Sequence, residues 1–431
     1  MVSEKIKNLI AEWLETESLP DMIEREMGIK DVDQLSSILA IVGPRRSGKT
    51  WFMFQLIKRL LDKGVEIKDI LFIDFEDYRL IDIKPEEIDS ILSAFYQLTD
   101  QYPTYLFFDE IQNLPSWNRV LRTLHNQNRY KIVVSGSNSS LLSKEIATEL
   151  RGRYEDLLML PFSFSELLSF RKISFDKSTF YSPKKGALLK VFDDYLREGG
   201  FPEVIQKKTR AEKNNLLQSY YQTLFYKDIL ERYSIRSKQL LESMMHYCLD
   251  TRGDLFSITK FAKSMAVADI PVSKKTVSNY LHHLQEAFFL IANEKFDFSP
   301  RKRLMNPKKI YLLDSGFSIL SVNFSENKGK FLENIVAVHL YRMRQEMYYY
   351  KKKRECDFII KKVNKIYTAI QVCWELNDKN RERELSGLAD ALREFSIAKG
   401  LILTYDQEGM EKIDGKKVSI IPTYKWLLET I

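Results

Sequence analysis

Cysteine is scarce in this chain of 431 residues. The three cysteines, Cys248, Cys356 and Cys373, are too few and too scattered for a disulfide framework or a zinc site. Their scarcity is typical of a reducing compartment. We therefore expect a cytoplasmic location and no structural metal cluster.

Long apolar runs are also missing. The longest, YLFF and AFFLIA, are far shorter than the roughly 20 residues that span a bilayer. The opening segment MVSEKIKNLIAEWLETESL is charged throughout, whereas a signal peptide needs an apolar centre and a cleavage site with small residues. The sequence predicts no membrane partner.

No large excess of one charge is present. Lysine and arginine total 66 and aspartate and glutamate total 59, which gives a net charge of +7. Such a modest value does not by itself indicate nucleic acid, so the distribution of basic residues has to decide. The length predicts two to four domains at about 100–200 residues each.

Residues 40–52, AIVGPRRSGKTWF, fit the pattern G-x-x-x-x-G-K-[ST] of phosphate-binding loops. An apolar strand pattern precedes this segment and an amphipathic helix pattern follows it, as such a loop requires. Lys49 would reach the β- and γ-phosphates, and the Thr50 hydroxyl would bind Mg²⁺. The sequence predicts an ATP site formed by Gly43, Pro44, Arg45, Arg46, Ser47, Gly48, Lys49 and Thr50.

A second apolar run, TYLFF, is followed by Asp109 and Glu110. Acidic side chains at the carboxyl end of a buried parallel strand lie at the ligand crevice of such sheets. We expect Asp109 to bind Mg²⁺ through its water shell and Glu110 to polarise the attacking water. An isolated Asp-Glu pair would more simply be an exposed strand end, but together with the loop it predicts ATP hydrolysis.

Two other apolar segments, DILFIDFED and YKIVVSGSNSS, fit strands of the same sheet. After the second, Ser137 or Asn138 can sense the γ-phosphate or cap the next helix, SLLSKEIATELRG, and both alternatives stay open. Arg151 and Arg153 follow that helix. An arginine there can complete a neighbouring subunit's site as a finger, or it can be solvated or salt-bridged.

Six segments, in chain order, resemble the archaeal and bacterial AAA-type ATPases that carry a C-terminal domain of unknown function: GPRRSGKT, LFFDEIQNL, VVSGSNSSLL, LRGRYEDLLMLPFSFSELL, YLREGGFPEVI and YYQTLFYKDILERY. The resemblance implies an α/β fold with an ASCE-class P-loop core in residues 1–170. There the acidic strand is separated from the loop strand by an inserted strand. It also implies a winged helix, then an α/β restriction-endonuclease-like domain, and it favours Arg153 as the arginine near the phosphates.

The middle of the chain is helical. For residues 171–235, rich in Tyr and Phe, we expect a connector packed on the ATPase core. In residues 236–320, serines are placed to cap two helices, and the helical spacing of Val277, Leu281, Leu284 and Phe288 predicts a buried face on the second. This pattern predicts a helix-turn-helix, and two strands around PRKRLMNP would complete a winged helix.

Basic residues cluster on this predicted winged helix. On its second helix, Lys274, Lys275, Ser278, Asn279 and His282 fall on the face opposite the apolar one. The residues expected at the tip and on its return strand, where they could contact phosphate, are Arg301, Lys302, Arg303, Lys308 and Lys309. A solvated hairpin or a protein-binding module is the alternative to DNA contact.

Residues 325–431 predict helix, three strands, helix and strand, an order that resembles the PD-(D/E)xK nuclease core. The resemblance assigns Glu333 and Asp357 to the first two acidic positions. Gln371 and Cys373 stand where the acid and lysine of the third motif belong, so this site lacks two charges needed for metal-dependent cleavage. We expect a degenerate nuclease domain, unless Glu375 and a lysine of the KKKR run at 351–354 compensate.

The sequence thus predicts an AAA-type switch that binds and hydrolyses ATP with Mg²⁺ and acts through its winged helix. Its expected partners are DNA, a DNA-associated protein and further copies of the chain. Two alternatives remain: an ATP-dependent DNA nuclease, and an antitoxin-like DNA-binding regulator in which ATP is only structural.

Overall fold

The structure is a computed structural model that describes residues 4–16, 18–25, 27–28, 31–139, 152–176, 178–322 and 327–430. It divides into two compact units, Met1–Leu160 and Pro161–Ile431. The division falls before residue 170, where the sequence places the end of the ATPase domain. Residues 140–151, which hold most of the predicted helix SLLSKEIATELRG and include Arg151, lie outside the described residues. Gly152, the last residue of that predicted helix, is described.

The first unit contains a parallel five-stranded sheet of order β2-β3-β4-β1-β5. Its strands are β1 (Ile38–Val42), β2 (Ile70–Asp74), β3 (Tyr105–Asp109), β4 (Lys131–Gly136) and β5 (Tyr154–Leu158). The acidic strand β3 and the loop strand β1 are separated by β4, which confirms the inserted strand implied by the family resemblance. All carboxyl ends of the parallel strands meet at one edge, and this edge carries the predicted site.

Helices cover this sheet: α1 (Glu4–Leu14), α2 (Lys49–Asp62), α3 (Glu87–Thr99) and α4 (Trp117–Asn126). Helix α2 forms because apolar residues recur on one face, and Phe52, Met53 and Leu56 are buried in the core. The indole of Trp13 in α1 donates to the Ile70 carbonyl at 2.6 Å. The packing of α2 therefore fixes the helix whose first residues are Lys49 and Thr50 of the predicted site.

The second unit begins with helices α5 (Phe164–Phe170), α6 (Lys185–Glu198), α7 (Pro202–Gln206), α8 (Arg210–Thr223), a π-helix (Leu224–Glu231) and α9 (Lys238–Asp250). Leu217 of α8 and Met244 of α9 share one apolar core with Leu281 and Phe317 farther along the chain. Residues of this stretch therefore share an apolar core with the middle region, and the expected connector of residues 171–235 packed on the ATPase core stays a prediction.

The segment EGGFPE joins two of these helices in a tight loop. Gly199 has φ of 76°, and a Cβ there would lie 1.7 Å from the Asp314 carboxylate. A Cβ on Gly200 would lie 2.4 Å from the Phe162 carbonyl oxygen. Gly200 donates its amide to Asp314 Oδ2 at 2.8 Å, so both glycines are required by close approach.

The middle region contains β6 (Leu255–Phe256), α10 (Ile258–Val267), α11 (Lys274–Glu286), β7 (Leu290–Asn293), α12 (Pro300–Met305) and β8 (Lys308–Leu312). Ser257 and Ser273 cap α10 and α11 as predicted, because their hydroxyls accept the amides of Lys260 and Thr276. The strands pair antiparallel in the order β6-β8-β7.

The predicted hairpin tip differs in form. Strand β7 ends at Asn293, and PRKRLM folds as the six-residue helix α12 with proline in its first turn. The segment between them is tied by a bridge from Lys295 to Tyr349. Arg301, Lys302 and Arg303 therefore lie on a short helix and not in a turn between two strands.

The C-terminal region begins with α13 (Lys328–Arg342) and builds a six-stranded sheet of order β13-β14-β12-β11-β10-β9. The remaining elements are β9 (Glu346–Lys351), β10 (Glu355–Lys362), β11 (Lys365–Val372), α14 (Arg381–Glu394), β12 (Lys399–Thr404), β13 (Gly409–Ile413), β14 (Lys416–Pro422) and α15 (Thr423–Glu429). Strands β9–β11 are antiparallel, whereas β12 pairs parallel with both β11 and β14. The predicted helix-strand-strand-strand-helix-strand order is present and is extended by two strands and a helix.

Candidate nucleotide site and the acidic cluster of the C-terminal sheet

The loop after β1 approaches its neighbours too closely for side chains. A Cβ on Gly43 would lie 1.8 Å from the Met159 carbonyl oxygen, so only glycine fits there. Arg46 and Gly48 have φ of 66° and 96°, and such left-handed backbone in a non-glycine residue is typical of functional loops. Helix α2 begins immediately after Gly48, so its N-terminal amides and its dipole face the space enclosed by the loop.

Lysine, hydroxyl and carboxylate groups converge at this loop. The buried Lys49 ammonium donates to the Pro44 carbonyl at 3.2 Å and lies 3.2 Å from Glu110 Oε1. The Thr50 hydroxyl donates to Asp109 Oδ2 at 2.6 Å. The structure thus brings together four residues predicted from two separate motifs.

Strand β4 positions the two carboxylates from the side. The Ser135 hydroxyl donates to Asp109 Oδ1, and the same hydroxyl accepts the Glu110 amide at 3.0 Å. The Ser137 amide and the Gln112 side chain both donate to Glu110 Oε2. Glu110 itself has φ of 49°, so the backbone turns sharply to aim this carboxylate at Lys49.

The two adjacent acids have opposite electrostatic behaviour. Burial and the charge of Glu110 raise the pKa of Asp109, against hydrogen bonds from Ser135 and Thr50. Burial would also raise the pKa of Glu110, but the charges of Lys49 and Arg45 and its hydrogen bonds outweigh burial and lower that pKa to about 2. Glu110 is therefore held as a carboxylate at neutral pH, the form required of a base.

The residues fit a nucleotide with a magnesium ion. The Ser47 hydroxyl is buried at the loop and has no hydrogen-bond partner among the described residues. The loop amides and Lys49 are donors for phosphate oxygens, and the Thr50 hydroxyl and Asp109 carboxylate are the oxygen ligands that Mg²⁺ prefers. A bound nucleoside triphosphate would supply the scissile phosphoryl group at this point.

Two features of the site were missed in the sequence. Buried Arg25 donates to the Ser47 carbonyl at 2.7 Å and to the Leu160 carbonyl at 2.9 Å, so it supports the loop from a distant part of the chain. Asp74, at the end of β2, is aligned with Asp109, and burial raises its pKa to about 6. The acidic ending of DILFIDFED was a signal for Asp74, whereas nothing in the local sequence indicates Arg25.

The expected sensor residues follow β4, between the loop strand and the acidic strand. Asn138 and Ser137 are both buried, and the Ser137 amide helps to position Glu110 as described above. Their alternative role as a cap for the next helix falls on residues outside the described ranges. Asn138 therefore stays a prediction as the sensor of the γ-phosphate.

Arg153 lies at the opposite edge of the sheet. Its carbonyl accepts the amide of Ile38 at 2.9 Å, at the amino end of β1, and its guanidinium donates to Asn126. The length of β1, at about 3.3 Å per residue, separates it from the loop. Arg153 therefore lies away from this chain's own phosphate loop, and its role as a finger in the site of a neighbouring copy stays a prediction.

Comparisons with known proteins agree with this geometry. The family model of the AAA domain matches residues 35–168, and two domains of unknown function, DUF8612 and DUF4143, match residues 189–328 and 328–426. An uncharacterized protein of Methanocaldococcus jannaschii, MJ1544, is 35% identical over 443 residues, covering 99% of this chain and 96% of that protein. The chain belongs to this family of AAA-type P-loop ATPases with a C-terminal DUF4143 domain.

Other similar proteins are more distant. An uncharacterized Haemophilus influenzae protein is 27% identical over 95% of this chain and 99% of its own length. The Walker-type ATPase PABY2304 of Pyrococcus abyssi has 14% identity and a TM-score of 0.43, covering 70% of this chain and 98% of that structure. Cdc6p of Pyrobaculum aerophilum has 14% identity and a TM-score of 0.29, covering 76% and 98%.

Among the described residues of this AAA-type ATPase, no helix is long and apolar enough to cross a membrane. The same residues contain no group of three or more His, Cys, Asp or Glu side chains placed to hold a metal ion.

The predicted basic face of α11 is exposed. Val277, Leu281 and Leu284 are buried, which confirms the apolar face, while Lys274, Lys275 and Asn279 lie in solvent. On α12, Arg301 and Lys302 are exposed as well. Arg303 is half-buried and donates to the Asp297 carbonyl at 2.9 Å, so it is less available than the other two.

The two lysines of β8 do not face solvent as expected. Lys308 lies 2.6 Å from Glu294 Oε1. Lys309 is 3% exposed, and its ammonium lies 2.7 Å from Glu333, 2.7 Å from Glu355 and 2.8 Å from Asp357. Lys309 of strand β8 therefore contacts Glu333 of α13 and Glu355 and Asp357 of β10. The prediction that Lys309 contacts phosphate is therefore wrong.

Lys309 occupies the centre of the expected nuclease site. Burial alone would lower its pKa, but the charges of Asp357 and Glu333 outweigh burial and hold it well above its ordinary value. Burial and the Asp357 charge raise the pKa of Glu333 to about 7, and the buried Tyr311 hydroxyl donates to Glu333 at 2.6 Å. An ammonium of the same chain thus occupies the centre of these carboxylates and offsets part of their charge.

The third motif position carries no compensating charge. Gln371 donates to Glu384 at 2.8 Å, and its carbonyl oxygen is buried without a partner among the described residues. Cys373 is buried in apolar surroundings, which raise the pKa of its thiol. Glu375 is exposed beyond the end of β11, so it does not share the strand face as expected. The acidic cluster is Glu333, Glu355 and Asp357 around Lys309.

Proposed function

We propose that this AAA-type ATPase hydrolyses ATP with Mg²⁺ and uses the cycle as a switch on DNA or a DNA-associated partner. The observation that carries the catalytic part is the convergence of Lys49, Thr50, Asp109 and Glu110 at one edge of the sheet. Lys49 and the loop amides would bind phosphates, and Thr50 and Asp109 would hold Mg²⁺. Glu110, kept ionised by Lys49 and Arg45, would accept a proton from the attacking water.

The proposal of DNA as the partner rests on the helix pair α10–α11. The exposed face of α11 presents Lys274, Lys275 and Asn279, and helix α12 presents Arg301 and Lys302. A capped second helix with an apolar inner face and a basic outer face is the element that enters a major groove in winged-helix proteins. Lysines and arginines would contact phosphates, and Asn279 would reach base edges.

The first experiment measures ATP turnover with and without single-stranded, double-stranded and branched DNA. We expect one DNA class to stimulate turnover in the wild type, and Glu110→Gln to retain ATP binding but lose turnover by about a hundredfold or more. The triple variant Lys274→Ala, Lys275→Ala, Asn279→Ala should keep basal turnover and lose stimulation. The matched control, Lys260→Ala, Lys263→Ala, changes exposed lysines of α10 instead.

Each outcome separates the candidate functions. Stimulation that survives the triple substitution would remove α11 as the DNA contact, and no stimulation by any DNA would favour a protein partner. If Glu110→Gln changes neither turnover nor DNA affinity, ATP is structural and the regulator alternative stands. Mg²⁺-dependent DNA cleavage lost in Asp357→Ala would support the nuclease, which the Lys309 contacts and the neutral Gln371 and Cys373 disfavour.

Arg153 is proposed as a finger only between copies. Its place at the amino edge of the sheet puts it away from its own phosphate loop, so it would act on a neighbouring site. Turnover per site should then rise with protein concentration and fall in Arg153→Ala. Turnover that is independent of concentration and unchanged by the substitution would leave Arg153 as a surface residue paired with Asn126.

A further inference from the structure

A second pocket lies wholly within the unit of residues 161–431. It has a volume of about 520 Å³, a size usual for small-ligand sites. Helices α6 and α8, residues 318–321, the start of α13 and the ends of strands β11 and β12 surround it. None of its lining residues belongs to the phosphate loop or to the unit that carries that loop.

The pocket is strongly basic. Arg197, Arg210, Arg252 and Lys328 line it, and the acid among the lining residues is Asp193. Four cations against one acid give the lining residues a net positive charge. Converging cations in a concave site concentrate the positive potential and favour an anionic ligand.

Arg252 is the observation that points to a ligand. Its side chain is 7% exposed, and its Nε has no hydrogen-bond partner among the described residues. Its guanidinium is stacked 4.4 Å from the centre of the Phe331 ring, and one nitrogen reaches the Leu249 carbonyl at 3.4 Å. Among the described residues no carboxylate forms an ion pair with this guanidinium, although the charges of Asp250 and Asp254 partly oppose the effect of burial, which lowers the pKa of Arg252. An anion bound in the pocket would offset the remaining cost of burial.

The other side of the pocket is aromatic. Trp374 and Tyr405 stack with ring centres 4.1 Å apart and planes at 16°, and both rings are half-buried. The Lys328 ammonium lies 5.2 Å from the Trp374 ring centre. Planar aromatic side chains beside cations are the combination that recognises a base and its phosphate, since the base stacks and the phosphate pairs with the cations.

We propose that this pocket binds a nucleotide, with its phosphate on Arg252 and its base against the Trp374–Tyr405 pair. The ligand can be a free nucleoside monophosphate or the phosphorylated terminal nucleotide of a nucleic-acid strand, because both present the same base and phosphate. This goes beyond the ATP site, and it does not depend on hydrolysis there.

The test is calorimetric titration of the full chain carrying Lys49→Ala, which weakens binding at the phosphate loop. The probes are AMP, a short single-stranded oligonucleotide with a 5′-phosphate, the same oligonucleotide with a 5′-hydroxyl, and inorganic phosphate. We expect AMP or the phosphorylated oligonucleotide to bind at least tenfold more tightly than inorganic phosphate. The tighter of the two identifies the source of the nucleotide.

Substitutions then assign the site. Arg252→Met keeps an unbranched apolar chain against Phe331 and should weaken binding about tenfold or more, because a charged hydrogen bond is lost. Trp374→Leu, on the opposite wall, should weaken nucleotide binding but not that of inorganic phosphate. The control is Arg381→Met, since Arg381 is half-exposed and pairs with Glu411 away from the pocket.

Three results would overturn the proposal. The first is that neither AMP nor the 5′-phosphorylated oligonucleotide binds more tightly than inorganic phosphate. The second is that AMP binds no more tightly than inorganic phosphate and the 5′-phosphate and 5′-hydroxyl oligonucleotides bind equally. The third is unchanged affinity in both Arg252→Met and Trp374→Leu. ATP turnover, compared between the wild type and Lys49→Ala, tests only the proposed ATP hydrolysis. A failure of that proposal can therefore be told apart from a failure of nucleotide binding in this pocket.

Discussion

Two lysines, Lys49 and Lys309, are buried against carboxylates in the described part of the chain, with different consequences. Lys49 faces Glu110 and a carbonyl of the glycine-containing loop, so phosphate oxygens can still reach its ammonium. Lys309 is surrounded by three carboxylates, which leave its ammonium no room for another anion. The same pair of residue types therefore forms a ligand site in one unit and a closed ion cluster in the other.

Arg25 provides a test of how the phosphate loop is supported. Arg25→Met removes the donors to the Ser47 and Leu160 carbonyls. We expect it to lower the free energy of unfolding of the first unit by about 2–4 kcal/mol, because two buried acceptors lose partners. Calorimetry measures this in the thermal transition that shifts with added ATP.

Arg59→Met is the control for this substitution, since Arg59 is partly exposed and its carboxylate partner Glu24 is 3.8 Å away. We expect it to change stability by less than about 1 kcal/mol. Equal transitions for the wild type and Arg25→Met would show that the loop does not depend on Arg25.

Elements with strong apolar patterns were predictable and the others were not. Strands β1, β3 and β4 are nearly fully buried, so their apolar runs identified them. Strand β5, YEDLL, is a charged edge strand without a buried run, and it escaped prediction. Helix α12 was predicted as the turn of a hairpin, because proline and basic residues are common both in turns and in the first turn of a helix. The phosphate-loop residues could be predicted from their spacing in the sequence. Arg25 and Lys309 could not, because each contacts residues that are far away in the sequence.

Strand β8 offers a test of the acidic cluster through two adjacent lysines. Lys309→Met leaves the buried Glu333 and Asp357 without an ion-pair partner among the described residues, whereas the half-buried Glu355 keeps Lys351 at 3.4 Å. We expect the second unit to lose about 3–5 kcal/mol of unfolding free energy in urea denaturation, because unpaired buried charges are costly. Lys308→Met removes one ion pair with Glu294 and should cost less than half as much.

Equal losses for the two substitutions would contradict the central position of Lys309. In the wild type, Mg²⁺ or Mn²⁺ should not raise the transition of this unit, because the Lys309 ammonium already occupies the position between the carboxylates. A clear stabilisation by either ion that is abolished in Asp357→Asn would show that the cluster is a metal site instead.

The whole chain combines an AAA-type unit with a second unit that contains a basic helix face, an acidic cluster closed by lysine and a basic aromatic pocket. The family of the chain is established by a relative that covers nearly its full length. The chemistry of the ATP site follows from geometry within residues 1–160. The DNA and nucleotide proposals rest on charge and burial in residues 161–431, and each has its own experiment.

ATP affinity of Lys49→Ala tests the central claim most directly, since every functional proposal for the first unit requires a triphosphate at the loop. Equilibrium titration of ATP in the presence of Mg²⁺ compares the wild type, Lys49→Ala and the control Lys58→Ala, which changes an exposed lysine of the same helix. We predict that Lys49→Ala weakens ATP binding by at least about tenfold and that Lys58→Ala matches the wild type. Equal ATP affinity in all three folded proteins would contradict the account.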